Sequence, residues 1–171
     1  SVDVAFLQPG TPIPAEAALV VLPGSKATMA DLSELRRAGW DVDLLAHVRR
    51  GGAVLGICGG CQMLGRRISD PDGIEGPPGE IEGLGLIEMD TVLTGEKLLR
   101  AVSGASWTGA PVEGYEMHVG RSSGAACGTP MLRFADGHVD GAVARNGAIT
   151  GCYLHGLFSN DAFRADFLSR M

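Results

Sequence analysis

Gly52-Ala53-Val54-Leu55-Gly56-Ile57-Cys58-Gly59-Gly60-Cys61-Gln62-Met63-Leu64 carries the reading of the fold. Ala53 to Ile57 is a short apolar run, the composition of a strand buried on both faces, and parallel sheets are built from such strands. The run breaks at Cys58-Gly59-Gly60 and resumes as a helical segment, Cys61 to Arg66. A strand that turns at once into a helix needs a tight bend, and glycines permit it. A cysteine on that bend points out of the sheet at a helix N-terminus.

That position predicts chemistry. The helix dipole and free amides favour thiolate over thiol, so Cys58 is expected below the ordinary ~8.5 of a free cysteine. The Gly59 amide is placed to receive an oxyanion on a carbonyl under attack, and Gly24, ending a neighbouring strand, offers a second donor. The competing reading of Cys58 is a buried structural thiol. Cys58-Gly59-Gly60-Cys61 also spells C-x-x-C, but a zinc site needs a second ligand pair, and Cys127, Cys152, His118 and His155 are scattered singly. A thioredoxin-like context is missing as well, so no metal is expected and Cys61 reads as an inward-facing helix residue. Four histidines compete as base. His47 reads as a solvated helix residue and His138 as part of the turn Ala135 to His138. His155 ends a buried strand and precedes Gly156, where α/β folds put catalytic side chains. His118 alternates with Glu116 on one strand, as a second candidate base or half of a structural pair. Gly24-Ser25-Lys26 is no phosphate loop, since the G-x-x-x-x-G-K-[ST] spacing occurs nowhere in the chain.

Outward from the bend, Val2 to Leu7 reads as a strand and Ala18 to Leu22 as a second, buried one. A helix follows, capped at Ser25 or Thr28 and stopped at Gly39, then another from Asp41 to Arg50. The alternation is α/β. Ile68 to Gly83, rich in Gly, Pro and acids, reads as a surface loop. Strand-like segments lie near Leu86 to Val92, Tyr115 to Arg121, Met131 to Phe134, Val139 to Ala144 and Ala148 to Leu154. Phe158 to Met171 reads as a helix capped at Ser159 or Asn160.

The chain has 171 residues, 45% hydrophobic and 20% charged, which suits one globular domain. Its 14 basic and 20 acidic side chains leave a net charge of -6, so nucleic acid is not expected as a partner. No apolar run approaches the ~20 residues of a membrane helix and no leader opens the chain, so the cytoplasm is expected and no membrane partner. Four cysteines are too few for a stapled secreted scaffold. The first strand begins without a starting methionine, which suggests a piece of a longer protein.

Gly56-Ile57-Cys58-Gly59-Gly60-Cys61-Gln62 resembles the G-x-C-x-G-x-Q elbow of class I glutamine amidotransferases. Four further segments occur in order: Leu22-Pro23-Gly24-Ser25-Lys26, Asp70 to Gly76, Gly83-Leu84-Gly85-Leu86 and Gly114 to Gly120. A fifth, Tyr153-Leu154-His155-Gly156-Leu157-Phe158, closes the series. Together they are similar to the C-terminal glutaminase domain of the cobyric acid synthase family, ligases of cobalamin biosynthesis, over nearly the whole chain.

The resemblance implies a three-layer α/β/α, flavodoxin-like domain with a mostly parallel sheet and an antiparallel addition from the later strands. It implies L-glutamine as substrate, Cys58 as nucleophile and His155 as acid and base. Gln62, Glu116, His118 and Arg121 become candidates for holding glutamine. No cofactor is implied in this domain. ATP and magnesium would belong to an N-terminal synthetase domain absent from this chain, which would amidate adenosylcobyrinic acid a,c-diamide with the released ammonia. Most class I members carry a glutamate two residues after the histidine. Here that position is Leu157, leaving a Cys58–His155 pair, assisted by a group such as Glu116. Competing readings are the glutaminase domain of cobyrinic acid a,c-diamide synthase or another carboxylate amidotransferase, a stand-alone γ-glutamyl hydrolase, and a regulatory domain without catalysis.

Overall fold

The computed structural model describes residues 2–171, with 96–98 by backbone alone. Its core is a four-stranded sheet in the order β1 (Leu19–Leu22), β2 (Ala53–Ile57), β10 (Ile149–Cys152) and β9 (Ala142–Ala144). β1, β2 and β10 are parallel, and β9 runs against β10. Between β1 and β2 the chain makes a crossover through α1 (Thr28–Arg37) and α2 (Trp40–Arg49), the connection parallel strands require. β2 runs directly into α3 (Gly59–Leu64).

Successive residues of β2 serve opposite faces, as the two-residue period of a strand dictates. Val54 packs with Leu44 and Val48 of α2 and with Cys61 and Leu64 of α3. Leu55 packs with Phe163 and Phe167 of α4 (Asp161–Leu168) on the other side. This sheet is therefore the middle of three layers, which explains why its strands are continuously apolar.

The long excursion between α3 and β10 builds a second sheet. It is ordered β11 (Leu154–His155), β6 (Pro111–Ser123), β5 (Asp90–Ser106), β3 (Arg67–Asp70) and β4 (Gly79–Glu82). β7 (Leu132–Phe134) pairs with β5, and β8 (Val139–Asp140) with β7. All these pairings are antiparallel except β3 with β5. The expected parallel sheet and its antiparallel addition are both present, and the addition is the larger of the two. One chain joins them: β10 lies in the parallel sheet, Tyr153 follows, and β11 already pairs with β6.

Several expectations are corrected. Val2 to Leu7 is not a strand; Val4 and Phe6 are 73% and 89% exposed, with no sheet partner to bury them. The N-cap of α1 is Ala27, not Ser25 or Thr28, and its first amide is served from afar: Thr28 N donates to the Glu75 carboxylate at 2.6 Å. Gly39, in the left-handed conformation at φ 78°, both ends α1 and caps α2, so Asp41 lies in the first turn of α2 instead of capping it. His47 is buried, not solvated; its ring fills the space that a side chain at Gly52 would take and its Nε2 lies 2.9 Å from the Ala53 carbonyl. The stretch 68–83 is no plain loop. β3 and β4 frame it as a hairpin, and buried Asp70 pins the connection by accepting the Ile74 and Glu75 amides at 2.7 and 3.0 Å. Asn160 caps α4 as expected, accepting the Ala162 and Phe163 amides.

The elbow between β2 and α3 depends on absent side chains. A Cβ at Gly60 would stand 2.0 Å from the Leu22 carbonyl oxygen, and one at Gly56 would stand 2.7 Å from the Cys61 backbone. Backbone of a parallel strand cannot yield locally, so Gly60→Ala is expected to destabilise the fold by about 2 kcal/mol or more. Gly76→Ala, with nothing within 4 Å, should stay within about 0.5 kcal/mol of the parent. Denaturant midpoints of the two variants check this, and equal midpoints would contradict the packing described.

Candidate active site

Cys58 sits at the junction, with φ 52° and ψ -114°. Among the described residues only Arg145 and Asn146 share a positive φ without being glycine. Such a conformation costs on the order of 1–3 kcal/mol and persists only where the surroundings impose it. Here they do: the Cys58 amide donates to Cys152 O of β10 at 2.8 Å, Gly60 N to Pro23 O at 3.1 Å, and Gln62 N to Cys58 O at 3.1 Å. The turn is thus tied to β10, to the end of β1 and to its own helix. The thiol it presents lies 3.5 Å from the carbonyl of Met117 on β6.

His155 reaches the same oxygen. Its Nε2 is 3.3 Å from Met117 O, and its ring stacks on Tyr115 with centroids 5.1 Å apart and planes 9° from parallel. Gly24 closes the third side. A Cβ there would lie 3.4 Å from His155 Cε1 and 3.6 Å from Cys58 Cβ, so thiol, imidazole and the Gly24 backbone surround one small space. The Gly59 amide faces the sulfur and favours its anion. Apo enzymes commonly hold such groups slightly apart and tighten the contact once substrate is bound.

The expected low thiol pKa is overturned. Burial pushes Cys58 above the ordinary thiol range; the Gly59 amide opposes this, and the negative charges of Glu75 and Asp140 add to the rise. α3 has only six residues, so little dipole stands behind the bend. A thiol raised in this way needs a proton acceptor beside it to act as a nucleophile. Cys61 and Cys152 are fully buried, with pKa values pushed far up, and all four cysteines are free thiols.

The remaining candidates have these partners. Gln62 is buried, its Nε2 donating to Val119 O at 3.1 Å and its Oε1 accepting from Thr28 Oγ1 at 3.3 Å, so its amide ties α3 to α1 and β6. Glu116 makes no hydrogen bond to His155 or His118. Its buried carboxylate accepts from Arg100 Nε at 2.6 Å and lies 3.1 Å from His138 Nε2, in a cluster completed by Asp136. Thus Glu116 is not hydrogen-bonded to the imidazole it was expected to assist, nor paired with His118. His118 stacks on Tyr153 at 4.0 Å, and its buried Nδ1 has no partner among the described residues. Burial holds its pKa below the ordinary imidazole value, with the Glu116 charge opposing. Arg121 is exposed on β6 opposite Val92. Position 157, two residues after His155, is a buried leucine.

Two acids near the site escaped the sequence reading. Glu75 hangs from the Asp70-pinned turn and touches the start of α1. Asp140 is buried on β8 and accepts the Tyr153 amide with both oxygens, at 2.9 and 3.1 Å; burial pushes its pKa up to about 7. A lone acid inside the apolar run Val139 to Ala144 was the available signal. Among the described residues no group of three or more His, Cys, Asp or Glu could hold a metal ion. No described helix is long and apolar enough to cross a membrane.

Residues 1–163 match the CobB/CobQ-like glutamine amidotransferase domain. The chain is 61% identical over 171 residues to the cobyric acid synthase of Bradyrhizobium sp. (strain ORS 278), covering 99% of this chain and 34% of that protein. To the cobyric acid synthase of Bradyrhizobium sp. (strain BTAi1 / ATCC BAA-1182) it is 63% identical over 168 residues, covering 98% and 34%. It spans about a third of the length of these relatives. Among solved structures, PurLQS from Thermotoga maritima superposes with a TM-score of 0.62 at 16% identity, covering 90% of this chain and 79% of that one, a likeness of fold.

The raised thiol pKa has a direct readout. Iodoacetamide labelling of the native chain, followed by peptide mass spectrometry across pH 6 to 10, should show Cys58 modification rising with a midpoint above ~8.5, the ordinary thiol value. Cys61 and Cys152 should stay unlabelled. A Cys58 midpoint below that value would contradict the burial described.

Proposed function

The chain belongs to the CobB/CobQ-like glutamine amidotransferase domain family, and from that premise we propose that it is the glutaminase part of a cobyric acid synthase. What supports this most is one feature: the Cys58 thiol and the His155 imidazole meet at the Met117 carbonyl, on a strained elbow.

The chemistry proceeds in two halves. Cys58 Sγ attacks the side-chain carbonyl carbon of L-glutamine while its proton passes to His155, which the neutral thiol makes necessary. The carbonyl oxygen, now an anion, is received by the Gly59 and Gly24 amides. As the tetrahedral species collapses, the carbon–nitrogen bond breaks and His155 returns the proton to the leaving nitrogen, which departs as ammonia. The γ-glutamyl thioester remains on Cys58. Water then attacks it, His155 takes the water proton and gives it to the sulfur, and glutamate leaves.

Ammonia is a product with a purpose only if another site consumes it. We assign that site to an ATP- and magnesium-dependent synthetase portion of the same enzyme, amidating the peripheral carboxylates of adenosylcobyrinic acid a,c-diamide in cobalamin biosynthesis. None of the phosphate chemistry falls to this chain, in keeping with its lack of a phosphate-loop spacing. Four free thiols and an ATP-dependent partner reaction suit the reducing cytoplasm.

Glutamate release by the intact protein tests the roles. Cys58→Ala should abolish it. His155→Ala should lower it by about 10²- to 10⁴-fold, the usual range for a lost acid–base group. His118→Ala should retain most of it. Loss in His118→Ala with full activity in His155→Ala would exchange the base between the two.

A further inference from the structure

Among the described residues no acid is hydrogen-bonded to the His155 ring: the position two residues after it is Leu157, and the nearby Glu116 carboxylate is engaged by Arg100 and His138. An imidazole that must take a proton from a neutral thiol still has to be held at a fixed angle. Stacking on Tyr115 fixes its plane but not the path of the backbone beneath it, and Tyr115 itself is 44% exposed. The backbone below His155 is unusual, because it leaves one sheet and enters another within three residues.

Asp140 stands at that crossing. Its side chain is buried, and both carboxylate oxygens accept the amide of Tyr153, the residue between β10 and β11. The carboxylate is itself delivered rigidly. Asp140 is paired with Leu132 through β8, and Gly141 beside it, at φ 72°, passes so close to β10 that a Cβ would stand 1.9 Å from Gly151 O. The acid is therefore clamped to the same strand whose next turn it holds. A buried carboxyl is tolerated where its oxygens are hydrogen-bonded, and here both receive the Tyr153 amide.

We infer that Asp140 is the positioning residue for His155, acting through the Tyr153 amide and the backbone. The inference rests on the glutaminase reading above and deepens it. Asp140 touches neither substrate nor the reacting atoms. Its work is to set the angle at which β11 leaves β10, and with it the direction of the imidazole toward Cys58.

The test is a kinetic cycle in the intact protein, reading glutamate release. Asp140→Asn keeps the shape but removes one of the two acceptor oxygens. It should lower kcat about tenfold or more, leave KM for glutamine within about twofold, and cause no additional loss in a His155→Ala background. A role in folding alone would instead lower the melting temperature and give the same fractional loss with or without His155. Should Asp140→Asn fail to fold, the Tyr153 amide can be replaced by an ester. A fragment ending in a Gly151 thioester is joined to a synthetic segment beginning at Cys152; because the ester also weakens Cys152 O as acceptor of the Cys58 amide, the expected result is a kcat loss that disappears in a His155→Ala background. If the unaltered protein releases no glutamate, the glutaminase reading fails. If it does, and either altered protein matches it or loses activity additively with His155→Ala, the positioning role is wrong.

Discussion

The Cys58 amide donates to the Cys152 carbonyl, and three residues beyond Cys152 the same strand has crossed into the other sheet as His155. That single backbone hydrogen bond joins the elbow at the end of β2 to the strand that delivers the imidazole. Neither group could be placed by its own element alone. β2 and α3 fix the sulfur through the contact of Gly60 with Leu22, while β10 and β11 fix the ring through Tyr153. The Met117 carbonyl, contributed by the antiparallel sheet, is the point on which both converge. The two sheets are thus two halves of one site.

The electrostatics follow from that enclosure. A thiol buried at the elbow and flanked by the charges of Glu75 and Asp140 stays protonated. The short α3 supplies too little dipole to reverse this. A protonated thiol calls for a proton acceptor beside it, and His155 is the imidazole that shares its Met117 contact. Burial also protects the site: a buried, protonated sulfur is a poor target for adventitious oxidation compared with an exposed thiolate.

Much of this was legible in the residues. The apolar run Ala53 to Ile57 and the glycines around Cys58 foretold a buried parallel strand, a sharp bend and a presented thiol, because local composition and close packing decide them. His155 was legible for the same reason, as a polar residue ending a buried strand before a glycine. What escaped depends on long-range partners. Val2 to Leu7 has strand composition but no sheet partner among the described residues. β3 and β4 were hidden by polar residues, since only one face of that hairpin is buried. The raised thiol pKa, the engagement of Glu116 by Arg100, and Asp140 beneath Tyr153 all arise where separate elements meet, and no local pattern announces them.

The central claim is that Cys58 carries the γ-glutamyl group between the two halves of the reaction. Rapid acid quenching of the intact protein turning over L-glutamine, followed by peptide mass spectrometry, tests it directly. A glutamyl adduct on the peptide containing Cys58, absent when Cys58 is replaced by alanine, is the predicted result. Glutamate release with no adduct on any cysteine, or with the adduct on Cys127, would contradict it.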